Sequence, residues 1–400
     1  MLKNKTVILG VSGGIAAYKM PNVARMLTKL HCNVHVIMTE NAKNFITETT
    51  FETLTGNKCL VDTFDRNFEF SVEHVALAKQ ADLVLVAPAT ANVIGKIANG
   101  IADDMLTTTV MACTCKKIIA PAMNHNMYHN PIVQENIKKL EHFDYEIIQP
   151  VHGMLANGDM GDGKLPSEEE LVEYVLQELA FPKDLAGKKI LVTAGPTVEA
   201  IDPVRFISNH STGKMGYAIA KMAMLRGADV TLISGQGQLM PPPFTEVVSI
   251  TSAEEMYEEV MKRAADMDII IKAAAVADYT PAQTAQEKMK KSDENCVLEL
   301  KRTKDILKSL GTAKHNGEIR AFLCGFSMET ENMLENSKAK LEKKHVDMIA
   351  ANNLREQGAG FAADTNRLTL ITKDDCMELP MMSKEEAACR LLDEIAHRMK

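Results

Sequence analysis

The sequence predicts an α/β protein built from two doubly wound, Rossmann-like units with mostly parallel sheets. Apolar, β-rich runs alternate with helix-period segments along the whole chain. Glycine-containing turns between a strand and a helix open each half, at residues 10–14 and 193–216. The 400 residues, 46% hydrophobic and 24% charged, give each half enough apolar material for a core of its own.

The first-half strands are read at Thr6–Gly10, Asn33–Thr39, Leu83–Pro88, Lys117–Pro121 and Tyr145–Pro150, with helices such as Ile15–Leu30 and Val93–Ala98 between them. Residues 153–166, rich in glycine and poor in apolar residues, read as a loop that closes over a site. A helix at Glu168–Leu179 leads into the stretch 181–187, where the boundary is placed, giving units 1–187 and 188–400. The second half repeats the rhythm at Ile190–Ala194, Asp229–Ser234, Ile269–Ala273, Ala321–Phe326 and Met348–Ala351. A helix is read at Tyr217–Arg226, and Arg367–Thr372 with Cys376–Leu379 form a hairpin turned at Lys373-Asp374-Asp375. The halves share rhythm but not sequence, so they are not a tandem repeat.

The net charge of −8 argues against a general nucleic-acid surface. No run reaches transmembrane length, and the N-terminus reads as a strand ending in glycine rather than a signal peptide. Eight cysteines in a chain this long make no disulfide framework, and Cys113-Thr114-Cys115 is too closely spaced for a zinc pair. These features lead to the expectation of a cytoplasmic protein with reduced thiols, no nucleic-acid partner and no membrane.

In the first half, Gly10-Val11-Ser12-Gly13-Gly14 departs from the full dinucleotide pattern, so a mononucleotide phosphate is the more natural guest. Ser12, Gly13 and Gly14 supply donors, and Thr39 at a strand end adds a hydroxyl. Residues 87–92 repeat the layout, with Thr90 and Asn92 where open sheets bind ligands. With Ser71 as cap, His74 falls in a helix's first turn, where the positive helix end keeps the ring neutral and able to act as a base. Taken alone it reads first as an ordinary first-turn histidine. Asn124, in Pro121-Ala122-Met123-Asn124-His125-Asn126-Met127, suits a carboxylate or a flavin edge, or is a turn residue.

In the second half, Asn209 stands near Ser211, Thr212, Gly213 and Lys214 before a helix, where an amide and backbone N–H groups can hold an oxyanion. Its plainer reading is a helix-entry cap. Asp278 follows the strand 269–271 and suits a ribose or a metal. Glu287-Lys288-Met289-Lys290-Lys291 is a basic loop in an acidic protein, suited to a triphosphate or simply solvated.

The first-half stretches 10–19, His74, 87–96, 100–107 and 121–127, in this order, resemble the flavin-dependent cysteine decarboxylases. Together with 193–216, Ala275-Val276-Ala277-Asp278-Tyr279, Gly325-Phe326 and Lys340…Lys344, they make nearly the whole chain similar to the bacterial family that joins phosphopantothenoylcysteine decarboxylase to phosphopantothenate–cysteine ligase. The resemblance implies FMN bound between subunits of a trimer, with His74 as base and Asn124 on the substrate carboxylate. It implies that CTP and 4′-phosphopantothenate form an acyl-cytidylate, that cysteine's amine displaces CMP, and that the 4′-phosphopantothenoylcysteine formed is decarboxylated to 4′-phosphopantetheine. By position, Asn209 stabilises the acyl-cytidylate and Lys288 holds the triphosphate. Asp278, Phe326, Lys340 and Lys344 shape the nucleotide pocket, with Asp305 and Ile306 retained beside it, and Mg²⁺ offsets phosphate charge. A dimeric ligase half and a trimeric flavin half imply a homo-oligomer, a dodecamer.

One departure bears on chemistry. Asn157 stands where relatives carry a loop cysteine, and an amide is no general acid at neutral pH. Asp159, water or Cys59 would then donate the proton, or the decarboxylase half is impaired while the ligase works. Two rival classes are a phosphatase-inhibiting binding module related to the first half and a nicotinamide-dependent oxidoreductase.

Overall fold

The computed structural model describes residues 1–63, 73–155, 158–290, 296–329, 333–353 and 363–399. Two compact units result, Met1–Phe181 and Pro182–Lys400.

The first unit is a sheet of β1 (Thr6–Val11), β2 (Asn33–Met38), β3 (Leu83–Ala89), β4 (Lys116–Pro121) and β5 (Glu146–Ile147), ordered β2-β1-β3-β4-β5. Every pairing in it is parallel. β3 is buried along its whole length, as a central parallel strand must be. The helix Met20–Lys29 buries Met20, Val23, Ala24 and Leu27, the i, i+3, i+4, i+7 stripe of a helix lying on a sheet. Ser167 caps Glu168–Leu179 through Glu170 N–H, and three glutamates follow in the first turn. That helix buries Leu171, Val172, Val175 and Leu176, each contributing about 1.5–3 kcal/mol by leaving water.

The main sheet of the second unit has eight strands among the described residues: β6 (Lys189–Ala194), β7 (Asp229–Ser234), β8 (Glu246–Ser249), β9 (Ile269–Lys272), β10 (Phe322–Glu329), β11 (Met348–Asn353), β12 (Leu368–Ile371) and β13 (Cys376–Glu378), ordered β8-β7-β6-β9-β10-β11-β12-β13. The first six are parallel in doubly wound order, reversing direction of travel between β6 and β9. β12 and β13 add the antiparallel hairpin read from the sequence, closed where Thr372 N–H meets Asp375 O at 2.9 Å. Both units therefore have the architecture the sequence predicts.

Three local readings change. The stretch Ile15–Leu30 is a 3₁₀ turn, Ile15–Lys19, followed by the α-helix from Met20, because Pro21 suits only the first turn of an α-helix. Residues 153–166 are not a plain loop: Val151–Met154 pairs antiparallel with Met160–Lys164. Their glycines serve close packing, since a Cβ on Gly163 (φ +123°) would stand 2.2 Å from Met123 O. The helix expected from Tyr217 begins at Lys214, entered through Gly213 at φ 78°. Before it lies an unexpected short hairpin, Val198–Ala200 with Phe206–Ser208.

Candidate functional site

In the first unit a cavity of about 720 Å³ opens at the carboxyl edge of the sheet. Its position follows from strand order: β1 and β3 are neighbours whose connections leave in opposite directions, and a crevice forms there. Ser12 ties the two loops together. Its Oγ donates to Pro88 O at 2.6 Å and accepts from Thr90 N–H at 3.0 Å. Its own N–H also donates to Pro88 O, at 3.3 Å. Both donors of Ser12 are thus committed to the scaffold, and the cavity itself is lined by Gly13 and Gly14. Thr90, also on the lining, caps the helix Ala91–Ala98.

Asn124 lines the opposite wall. It caps the single turn His125–Tyr128, its Oδ1 accepting Asn126 N–H at 2.9 Å. Its side-chain NH₂ has no partner among the described residues, so it is available to an acceptor in the cavity. Thr39 sits at the end of β2 beside the glycine turn, and its buried Oγ1 lacks a hydrogen bond. Such an orphaned hydroxyl costs free energy until something pairs with it. Tyr18, Lys19 and Lys164 also line the cavity, as do the thioethers of Met123, Met127 and Met154. The Lys164 ammonium is unpaired among the described residues. An apolar wall, two lysines, a free amide and an orphaned hydroxyl nearby fit a flat, partly apolar group that carries an anion.

The remaining first-unit candidates lie elsewhere. His74 is in the first turn of Glu73–Gln80 and does not line this cavity within one chain. Asn92 is exposed in the first turn of its helix and is likewise off the lining. Asn157 and the proposed cap Ser71 fall outside the described residues. Cys59 is buried away from the lining, and burial pushes its thiol up to about 12, which makes it a poor proton donor to a ligand there.

In the second unit the polar candidates gather at the β6/β9 switch. The turn after β9 is fixed by the loop after β6: Ala275 N–H donates to Gly195 O at 3.0 Å, and Ala277 N–H to Thr197 Oγ1 at 3.0 Å. Asn209 joins this junction through Nδ2, 2.9 Å from Ala275 O, and the helix cap is Gly213 instead. Thr303 ties the Asp278 turn to the following strand end, its N–H donating to Asp278 O at 3.0 Å. Asp305 caps Ile306–His315 by accepting Lys308 N–H, and Lys344 Nζ lies 2.8 Å from its carboxylate. Burial would raise Asp305, but bonds from Lys344 and the Lys308 N–H hold it below the ordinary carboxylate range. The approach of Lys344 depends on Gly311, where a Cβ would stand 1.6 Å from Lys344 O. Lys340 reaches Ser327 Oγ at 3.3 Å, and Phe326 on β10 is half-buried beside it in sequence. The Ile306 side chain is core, so only its backbone faces outward chemistry.

Two groups escaped the sequence reading. Lys272 ends β9 at the switch itself, half-buried, with an ammonium that has no partner among the described residues. Burial, and after it repulsion from Lys344 and Lys340, pull it down to about 8 against Asp305 and Asp278. Read linearly, it is one lysine after three isoleucines; its signal is its place at a strand's carboxyl end. Asp202 and Arg205 are the other pair. The Asp202 carboxylate is buried under the Arg205 guanidinium and accepts Met289 N–H at 3.2 Å, which anchors the exposed loop carrying Lys288. That guanidinium, then the surrounding N–H groups, holds Asp202 well below the carboxylate range.

Two open parallel sheets, each collecting polar groups where its strand order reverses, define a two-unit α/β enzyme of the nucleotide- and cofactor-binding class. Residues 1–180 match the flavoprotein family, and residues 185–399 match the family described as DNA/pantothenate metabolism flavoprotein C-terminal domain. The coenzyme A biosynthesis bifunctional protein CoaBC of Bacillus subtilis is 47% identical over 402 residues, covering 99% of this chain and 98% of that protein. Its namesakes in Vibrio vulnificus and Borreliella burgdorferi are 43% and 42% identical, each over 98% of this chain and 98–99% of their own. The chain belongs to this family of coenzyme A biosynthesis bifunctional proteins. It is an enzyme with a flavoprotein decarboxylase half and a ligase half, rather than a binding module, and full-length likeness to bifunctional relatives disfavours a chain with one working half.

Proposed function

We propose that the second unit uses CTP to condense 4′-phosphopantothenate with cysteine, and that the first unit, holding FMN, decarboxylates the 4′-phosphopantothenoylcysteine to 4′-phosphopantetheine. The observation carrying this reading is the pair of switch-point sites: cationic in the ligase half, apolar with an unpaired amide in the flavin half.

In the ligase half, Lys272, Lys340 and Lys344 attract the nucleotide phosphates, with Mg²⁺ offsetting the remaining charge. Lys288, on its anchored loop, holds the triphosphate while the acyl-cytidylate forms. Asn209 keeps one N–H on Ala275 O and offers the second to the developing oxyanion. Asp278 and the Asp305–Ile306 backbone face the sugar and base, beside Phe326.

In the flavin half, Gly13 and Gly14 N–H groups with the Thr39 hydroxyl hold the cofactor phosphate, and Thr90 and Asn92 flank it through their helix N-terminus. A flavin held there would supply a two-electron acceptor that turns the substrate thiol into an electron sink for loss of CO₂ and would return the same two electrons to the enethiol, so that turnover is redox-neutral. Asn124 holds the substrate carboxylate through its free NH₂. His74 takes the thiol proton from a neighbouring protomer, which its position off the cavity of its own chain supports. We accordingly read the flavin half as trimeric, the ligase half as dimeric and the whole as a dodecamer, which is what the resemblance implies. The proton donor for the enethiol is a group other than the Asn157 amide.

The test is a product assay on the full chain with CTP, Mg²⁺, 4′-phosphopantothenate and carboxyl-labelled cysteine. Pyrophosphate, CMP, labelled CO₂ and 4′-phosphopantetheine are expected. Pyrophosphate with the label retained would overturn the decarboxylase chemistry; no CTP-dependent pyrophosphate would overturn the ligase chemistry.

A further inference from the structure

We infer that the first unit carries a transition-metal site, built from His125, His129 and Asp162, that straps the 151–164 hairpin to the turn after Asn124. Ligand atoms of these three residues all lie within 4.8 Å of one another. His125 and His129 are four residues apart across one helical turn, the spacing that places two imidazoles on the same face for one ion. Asp162 comes from the hairpin's second strand, its Oδ2 2.8 Å from His129 Nε2. His152, on the first strand, lies 2.9 Å from the other carboxylate oxygen through Nδ1 and so orients Asp162 from outside the three-residue cluster.

The cluster is held by packing. Asp162 N–H donates to His125 Nδ1 at 3.1 Å, which orients the ring in the metal-free protein and is a bond that His125 must give up to ligate an ion, since a neutral imidazole has one lone pair. Gly161 lies flat on the same ring, where a Cβ would come within 2.9 Å. The His125 and His129 rings meet edge to face, 4.4 Å between centroids. Tetrahedral zinc, with bonds of about 2.0–2.1 Å, wants ligand atoms roughly 3.3 Å apart. The ligand atoms, now within 4.8 Å of one another, would have to adjust to that spacing as the ion binds. Two imidazoles with one carboxylate, the fourth position left to water, suit Zn²⁺ or Co²⁺, not Mg²⁺ or Ca²⁺. The site is thus chemically separate from any magnesium accompanying a nucleotide. Asn124 precedes His125, and Gly163 and Lys164 follow Asp162; all three line the cavity, so an ion here would tie together the two segments that carry them.

The experiment is zinc uptake by the full chain in excess Mg²⁺, measured by equilibrium dialysis and atomic absorption. Wild type is compared with His129→Ala, Asp162→Asn and His125→Gln. Cys115→Ser serves as a control for the thiol pair at 113–115. Wild type and Cys115→Ser are expected to hold one zinc per chain, and zinc is expected to raise their melting temperature. The three ligand variants should bind more weakly by well over the roughly tenfold that even outer-shell changes cost, with no zinc-dependent melting shift. Equal zinc uptake in wild type and all three ligand variants, or no uptake by wild type under excess Mg²⁺, would overturn the site. Metal-free melting of each variant separates loss of a ligand from loss of the fold.

Discussion

Lys272 is a cation placed where water only partly reaches it, with two more ammonium groups as neighbours. Its folded value of about 8 lies below the ordinary 10.5, so between those pH values the unfolded chain binds more protons than the folded one. Stability therefore rises with pH across that window, and the penalty is present in full below pH 8. Lys272→Met should stabilise the protein at pH 7 by about 1–2 kcal/mol, a figure discounted for partial exposure. The gain should shrink as pH climbs toward 10, while CTP-dependent pyrophosphate release falls at least about tenfold; thermal unfolding against pH and a pyrophosphate assay check both. Thr39→Val addresses the opposite situation, a buried hydroxyl with no partner. It should stabilise the cofactor-free protein by about 1 kcal/mol and weaken flavin retention by roughly tenfold, read by melting and by flavin fluorescence on dilution. The contrast explains what sequence reading reached. Thr39, Asn124 and Lys344 sit at strand or helix ends within recognisable motifs. Lys272 has no such context, and Asp202, though inside 193–216, draws its meaning from the Met289 N–H far away along the chain.

Elements carry these groups, and two glycine contacts decide how closely. Gly311 lets the helix Ile306–His315 meet the end of Met333–Lys344, which places Lys344 on Asp305. Gly311→Ala would drive a methyl into Lys344 O and should cost at least about 2 kcal/mol. It should lower ligation selectively, leaving decarboxylation of added 4′-phosphopantothenoylcysteine near the wild-type rate. Gly163→Ala, blocked by Met123 O, should instead displace the hairpin, cost about 1–3 kcal/mol and weaken flavin binding while ligation persists. The parallel strands were legible because buried central strands are continuous apolar runs, as in β3 and β6. The 151–164 hairpin was not, since its glycines answer to neighbours and mimic a loop. β8 was missed for a related reason: an edge strand with a largely exposed Glu-Val-Val-Ser run lacks a two-sided apolar signature.

At the scale of the whole molecule, each unit has its own sheet and its own core, divided between Phe181 and Pro182. Among the described residues no helix is long and apolar enough to cross a membrane. Two polypeptides, 1–181 and 182–400, should each fold, and a mixture should restore the full conversion at a rate set by diffusion of the intermediate; circular dichroism and the coupled assay check this. The first unit's cavity has a further outcome. Met127 and Met154 on its wall are 48% and 66% exposed, so their sulfur atoms meet solvent whenever nothing fills the space. Peroxide turns such sulfurs into polar sulfoxides. Peroxide should therefore oxidise Met127 and Met154 sooner in flavin-free protein than in flavin-loaded protein, a difference that peptide mass spectrometry reads directly.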